Sequence, residues 1–138
     1  MSRPAYHDCL NARLRRSMRA VGRRFDAALK PVGLKSTQFT VLAVFAYHSE
    51  LTVTKLADLM AMDRTTLTRN LQPLVRQGWL EIAGDKDGRV KVVRQTSAGR
   101  AKLAEATPLW QAVQDEVTKV LGAEKRADLM QVLAELEA

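Results

Sequence analysis

The spacing of apolar residues over the first 45 positions predicts two helices. From about Tyr6 to Leu29, apolar residues recur every three or four positions, as on one face of an α-helix: Leu10, Leu14, Met18, Val21, Phe25 and Leu29. Pro31 and Gly33 are expected to end this helix. A second helix is predicted to begin near Ser36, a candidate N-cap, and it is apolar on most sides, which indicates burial.

The central segment, residues 52–94, predicts two short amphipathic helices followed at once by a hairpin. Thr52 can cap a third helix and Asp63 a fourth. Gly78 suits the left-handed position that ends the fourth helix. The residues expected to face inward from these two helices are Leu56, Leu59, Met60, Leu67, Leu71 and Leu74.

The hairpin is predicted from two strands, Trp79 to Ala83 and Val90 to Arg94. The segment GDKDGR between them contains the Asp and Gly residues that tolerate the backbone angles of a hairpin tip. Two helices joined by a short turn, followed by a hairpin with a charged tip, describe a winged helix-turn-helix.

The last third of the chain predicts two further helices. Thr96 or Ser97 can cap a long helix that extends to about Leu121, and Pro108 is expected to interrupt or bend it. Gly122 separates off a last helix with an apolar stripe. The predicted fold class is therefore mainly α with a small β-hairpin wing: a winged helix-turn-helix (residues 36–102) flanked by an N-terminal (1–35) and a C-terminal (103–138) dimerisation region.

Composition narrows the functional classes. A chain of 138 residues with 46% hydrophobic residues can build one compact domain. It has no apolar run long enough to cross a bilayer and no secretion signal, so we expect a cytoplasmic protein without a membrane partner. The single cysteine excludes an internal disulfide and Cys-rich zinc sites.

Charge is distributed unevenly along the chain. Residues 1–35 carry nine basic and two acidic residues, whereas residues 103–138 carry three basic and seven acidic ones. A basic body favours a polyanion as partner, although a solvated basic surface is the simpler alternative.

The fourth helix and the hairpin carry most of the candidate DNA contacts, and Thr54 of the third helix is a further one. Short polar and basic residues lie on the face opposite the leucines, where they can reach base edges in the major groove, and Arg89 can enter the minor groove with Asp87 holding its guanidinium. The alternatives are ordinary capping sequence and an ordinary polar turn. The candidate residues are Thr54, Arg64, Thr65, Thr66, Thr68, Arg69, Lys86, Asp87, Arg89 and Lys91, with Arg94 as a further phosphate contact.

These motifs resemble the MarR family of bacterial winged-helix regulators over nearly the full length of the chain. The resemblance implies an obligate homodimer, held by the first and last helices, that binds palindromic operators and usually represses. It also implies release of DNA by a small, often aromatic, ligand or by an oxidant. Gln95 departs from the family pattern, which usually has an apolar residue there. The segments that carry the resemblance are Gly33–Leu42, Lys55–Leu71, Gly78–Leu80, Asp87-Gly88-Arg89 and Thr96–Arg100.

Two effector hypotheses follow from that resemblance. An aromatic ligand would be bound near Phe25, Phe39 and Trp110, although core packing explains these residues equally well. An oxidant would act on Cys9, where nearby basic residues favour reactivity, although a lone cysteine in an apolar setting is more often buried packing.

The first alternative to DNA binding is catalysis. The sequence contains no nucleophile–base set, phosphate-binding glycine loop or metal-binding histidine spacing to support an enzyme. No cofactor is expected. The second rival is a winged helix that binds an acidic protein.

Overall fold

The computed structural model describes residues 2–84 and 87–138. Within these ranges the chain forms six α-helices and three β-strands. Two short 3₁₀ helices, Tyr6–Asp8 and Lys30–Val32, flank the first α-helix. In chain order the elements are α1 (Leu10–Leu29), α2 (Ser36–Val44), β1 (Glu50–Thr52), α3 (Val53–Met60), α4 (Arg64–Arg76), β2 (Leu80–Gly84), β3 (Lys91–Gln95), α5 (Ser97–Leu121) and α6 (Ala123–Glu137). The predicted fold class, mainly α with a small β-hairpin wing, is confirmed. The division into DNA-binding and dimerisation regions stays a prediction.

The starts of the first two helices differ from the prediction. α1 begins at Leu10, because Cys9 is extended and the residues before it form a 3₁₀ turn with i→i+3 hydrogen bonds. Ser36 is the first helical residue of α2 and not its N-cap, which is Lys35. The Ser36 N–H donates to the Asp26 carboxylate at 2.7 Å. A residue of α1 thus supplies the hydrogen-bond acceptor for a backbone N–H group at the start of α2 that has no partner within the helix.

The remaining predicted caps are confirmed. The side chains of Thr52 and Thr96 accept hydrogen bonds from the backbone N–H groups of Lys55 and Gly99. Gly122 has φ +81° and separates α5 from α6. The side-chain caps of these helices were therefore predicted correctly from the sequence.

The sheet is antiparallel, with strand order β1-β3-β2. β2 and β3 form the predicted hairpin, each displaced by one residue from its predicted position. β1 is an additional strand that the sequence did not indicate, and it pairs Leu51 with Val93. It places the start of α3 directly beside the hairpin.

A single core joins the helices to the sheet. Its largest fully buried side chains are Leu29, Val41, Leu42, Leu56, Leu67, Leu71, Leu74, Leu80 and Val93. The inward orientation predicted for Leu59 is wrong: its side chain is 47% exposed, because it lies at the edge of the apolar face of α3 that Leu56 occupies.

Gln95, the departure from the family pattern, is a buried polar residue in this core. Its side-chain amide donates to the backbone carbonyl of Leu42 at 3.1 Å. The amide thus links β3 to α2, and a buried polar group without such a partner would be costly.

α5 continues through Pro108, so the predicted interruption is wrong. Proline removes the hydrogen bond to the carbonyl of residue 104, and because both positions are exposed, water can satisfy that carbonyl instead. α5 packs against both α1 and α6 and connects them to the rest of the chain.

Large apolar side chains of α1, α5 and α6 remain exposed in the single chain. Leu10 is 59% exposed and Val120 is 72% exposed. The others are Leu14, Met18, Val21, Leu129, Met130, Val132 and Leu136. None of the helices in the described ranges is both long and apolar enough to cross a membrane.

Candidate nucleic-acid interface

Asp63 organises the start of α4. One oxygen of its carboxylate accepts the backbone N–H of Thr66 at 2.7 Å, and the other accepts the Thr66 hydroxyl at 2.9 Å. The backbone N–H of Thr66, and then its hydroxyl, lower the pKa of the Asp63 carboxyl below its usual value. The cap therefore stays ionised at neutral pH, where it complements the positive end of the helix dipole.

The Thr66 hydroxyl is consequently engaged within the protein. Its side chain is half-buried, whereas Thr65 and Thr68 are exposed on either side of it. Of the three threonines predicted to contact bases, two present their hydroxyls to solvent and one holds the helix start.

The exposed face of α4 is a shallow open depression of about 540 Å³. It lies opposite Leu67, Leu71 and Leu74, whose side chains have no exposed surface. The residues lining it are Arg64, Thr65, Thr68 and Arg69. Two guanidinium groups and two hydroxyls thus share one accessible surface on a helix whose other face is fixed in the core.

Asn70 holds the turn between α3 and α4. Its side-chain amide donates to the Thr66 carbonyl at 3.1 Å and contacts the Met62 sulfur at 3.5 Å. Asn70 and Arg69 also line a smaller cavity of about 170 Å³ between α4 and the start of α2. No local pattern in the sequence marks Asn70, because its partners come together only once the turn is folded.

α4 ends in a Schellman motif. Gly78 has φ +76°, and its N–H donates to the Val75 carbonyl at 3.0 Å. The N–H of Trp79 donates to the Leu74 carbonyl at 3.0 Å. Because this backbone angle favours glycine, the chain can turn from α4 into β2 within two residues.

The predicted wing contacts lie at the end of the β2–β3 hairpin. Asp87 and Arg89 flank Gly88, which has φ +69°, and both are exposed. Lys91 is exposed at the start of β3, and Thr54 is exposed in the first turn of α3. Lys86 lies outside the described residues. The interaction predicted between Asp87 and Arg89 stays a prediction.

Arg94 is part of an ion pair across the sheet. Its Nε donates to a carboxylate oxygen of Glu50 at 2.7 Å, and the two residues lie directly opposite each other on β3 and β1. The hydrogen bond that Arg94 donates to Glu50, and then the negative charge of Glu50, raise the pKa of Arg94 above the usual value. A phosphate contact by Arg94 would therefore compete with Glu50.

The aromatic residues predicted to bind an effector are brought together only in part. Phe39 is buried and stacks on Trp110, with 5.4 Å between ring centroids and 18° between ring planes. Phe25 is half-buried on α1. Neither of the two cavities described above is lined by these residues.

Cys9 is exposed at the N-cap of α1, so burial does not account for it in the single chain. Oxidant sensing by Cys9 stays a prediction. Among the described residues, no cluster of His, Cys, Asp and Glu side chains could hold a metal ion.

Known proteins match this chain in sequence and in structure. Residues 32–90 match the model of the MarR family. The multiple antibiotic resistance protein MarR of Escherichia coli (strain K12) is 31% identical over 113 residues, which cover 80% of this chain and 78% of the relative.

Several solved structures of similar proteins contain DNA. The M. tuberculosis transcriptional regulator MosR in complex with DNA is 39% identical, with a TM-score of 0.83 over 94% of this chain and 97% of the other. The transcriptional repressor CouR, bound to a 23-mer DNA duplex, is 25% identical, with a TM-score of 0.86 over 100% of this chain and 99% of the other. This chain belongs to the MarR family of transcriptional regulators.

Proposed function

We propose that two copies of this chain form a homodimer that binds a palindromic operator in double-stranded DNA and represses transcription. The observation that carries the proposal is the exposed face of α4. There, Arg64 and Arg69 flank Thr65 and Thr68 above a leucine face that is fully buried.

The chemistry of this face suits the major groove. Arginine can donate two hydrogen bonds to guanine, and a threonine hydroxyl can bond a base while its methyl group contacts a thymine methyl. Because Thr66 is held by Asp63, we assign base contacts to the other four residues and a positioning role to Thr66.

The hairpin supplies the second set of contacts. Arg89 would enter the minor groove, where a narrow gap concentrates negative potential, and Asp87 would orient its guanidinium. Lys86, Lys91 and Thr54 would contact phosphates, which fixes the register of the protein on the duplex without reading sequence.

The exposed apolar faces of α1 and α6 support the dimer. Side chains such as Met18 and Met130, each more than half exposed in the single chain, lose contact with water if a second copy covers them. A two-fold dimer would present its two α4 helices to half-sites about one helical turn apart.

The same proposal places the protein in the cytoplasm, acting by binding and without catalysis. A small aromatic ligand or an oxidant would release the DNA. The stacked Phe39 and Trp110 join α2 to α5. A ligand that separates these rings would therefore change the orientation of the DNA-binding helices relative to the dimerisation helices. A thermal-shift screen with aromatic acids and hydroperoxides tests this: an effector must change both the melting temperature and the DNA affinity.

Footprinting on the DNA that flanks the protein's own gene tests the main proposal. Protection of an inverted repeat, centred on two half-sites, is the expected result. If the same protein preparation protects no DNA at low salt but binds an acidic protein, the winged helix serves protein contacts and the proposal is wrong. Salt titration alone would not separate the two, since both interactions weaken with salt.

A further inference from the structure

Lys102 connects three parts of the molecule through a single ammonium group. Its Nζ donates to the backbone carbonyl of Val32 at 3.1 Å and to the Glu105 carboxylate at 3.0 Å. The same nitrogen lies 5.4 Å from the centroid of the Trp79 ring. With its side chain only 21% exposed, Lys102 is more enclosed than a surface lysine usually is.

The partners of Lys102 belong to different functional parts. Val32 is the last residue of the short 3₁₀ helix that lies between α1 and α2. Trp79 is the last residue of the Schellman motif that ends α4. Lys102 itself lies on α5, which packs against α1 and α6. One side chain therefore links the proposed dimerisation helices to the end of the proposed recognition helix.

The first turn of α5 is already fixed against the chain that follows α4. The Thr96 N–H donates to the Trp79 carbonyl at 3.1 Å, and the Thr96 hydroxyl donates to the Gly78 carbonyl at 2.5 Å. Apolar packing also holds α5, since Ala106 is fully buried in the core and Trp110 stacks on Phe39. Lys102 lies six residues after Thr96 and adds a second polar attachment, whose directional hydrogen bond favours one angle of α5 against the segment before α2.

We propose that Lys102 is a positioning residue that fixes the angle between α5 and α4, and thereby the spacing of operator half-sites that the dimer accepts. The proposal rests on the proposed function. This role differs from a general stabilising role, because its loss should change the half-site spacing that the dimer prefers.

Small rotations at this position have large effects on the DNA-binding face. α4 rises about 1.5 Å per residue, so its first residue lies about 20 Å from Trp79. A rotation of about 10° there would move the start of α4 by about 3 Å, close to the roughly 3.4 Å between successive base pairs. Loss of the second attachment should thus make a one-base-pair change in spacing tolerable.

The test measures the affinity of the full-length dimer for operators that differ only in spacing. Synthetic duplexes carry the footprinted half-sites at their natural separation, or with one base pair added or removed. Lys102→Met keeps the apolar stem on Trp79 and removes the charge and the donors. Lys119→Met, at an exposed lysine on the same helix, is the matched control with the same change in net charge.

We expect the wild-type protein and Lys119→Met to prefer the natural spacing. In Lys102→Met, the ratio of the affinity for the natural spacing to that for an altered spacing should fall about fivefold to tenfold, since the hydrogen bonds lost involve a charged group. Affinity for a duplex with one half-site should change less than about twofold, because no DNA-contacting residue is altered.

Each result decides between the alternatives. If Lys102→Met keeps the wild-type preference, or if Lys119→Met loses it equally, the positioning role is wrong. If the wild-type protein binds none of the duplexes, the proposed function itself fails. Should Lys102→Met not fold, Lys102→Gln retains a donor for the Val32 carbonyl, and the same loss of preference is expected because the charge beside Trp79 and Glu105 is gone.

Discussion

The α-carbon of Gly99 lies against the backbone carbonyl of Trp79, so that a β-carbon at position 99 would overlap the carbonyl oxygen. The same β-carbon would stand 2.9 Å from the Gln95 side chain. α5 can therefore begin directly beside the end of α4 only with glycine at this position.

Gly99→Ala should lower the free energy of unfolding by about 1–3 kcal/mol, because the backbone of Trp79 or of α5 must shift. Urea unfolding at fixed protein concentration measures the change. Gly22→Ala is the control: a β-carbon there meets no atom within 4 Å, and alanine is the better helix former, so stability should be unchanged or up to about 1 kcal/mol higher. Equal destabilisation by both substitutions would contradict the close approach described.

Gln95→Glu should destabilise the protein in a pH-dependent way. The introduced carboxylate would be buried and would face the Leu42 carbonyl, which repels it. Its pKa in the folded chain should lie above the ordinary value of about 4.3, so the destabilisation grows as the pH rises past that value. At pH 8 we expect a loss of about 3 kcal/mol or more.

Urea unfolding of this variant at acidic and alkaline pH provides the measurement, with Gln72→Glu, at an exposed glutamine of α4, as control. The control should show little dependence on pH. A loss that does not depend on pH in Gln95→Glu would show that the side chain turns out into solvent.

Asp63→Asn separates the charge of the helix cap from its hydrogen bonds. Asparagine also caps helices, so the variant should fold, but it lacks the ionised carboxylate that Thr66 favours. Since the pKa of Asp63 is lowered on folding, its charge contributes stability above the ordinary aspartate pKa of about 3.9. That contribution is lost as the pH falls through the folded-state pKa.

The difference in urea midpoint between wild type and Asp63→Asn should thus be largest near neutral pH and shrink in acid. A difference that is constant with pH would mean that the carboxylate charge contributes nothing to the cap.

Thr66→Val and Thr68→Val form a matched pair that separates folding from recognition. Thr66→Val removes a hydroxyl bonded to Asp63 and should lower the free energy of unfolding by about 1 kcal/mol. Thr68→Val removes an exposed hydroxyl, so stability should change by less than about 0.5 kcal/mol. Its operator affinity should instead weaken by about 1–3 kcal/mol, measured by fluorescence anisotropy. A loss of stability in Thr68→Val together with a loss of operator affinity in Thr66→Val would contradict the proposed roles.

Features of the fold that depend on nearby residues were predictable from the sequence. The caps at Thr52 and Asp63 bond residues three positions away, and Gly78 ends α4 through its own backbone angle. The buried face of α4 follows from the helical period. The exposed face was predicted as a set, but the engagement of Thr66 required the geometry of the Asp63 carboxylate.

Other features depend on partners that are distant in the sequence. β1 has only three residues, and its partner strand lies about forty positions away, so no local alternation marks it. The burial of Gln95 depends on the Leu42 carbonyl, and the role of Lys102 depends on Val32 and Trp79. The position of Leu59 was wrong because the helical period leaves residues at the edge of the apolar face undecided.

The central claim is tested most directly by the operator affinity of two variants, Arg69→Ala and Lys125→Ala. Both are measured on the footprinted operator at the same salt concentration. Both variants lose one positive charge, but Arg69 lies on the exposed face of α4 and Lys125 lies on α6. We expect Arg69→Ala to bind about 1–3 kcal/mol more weakly while Lys125→Ala binds as the wild type does. Equal affinity of the two variants would contradict the assignment of α4 as the DNA-binding helix.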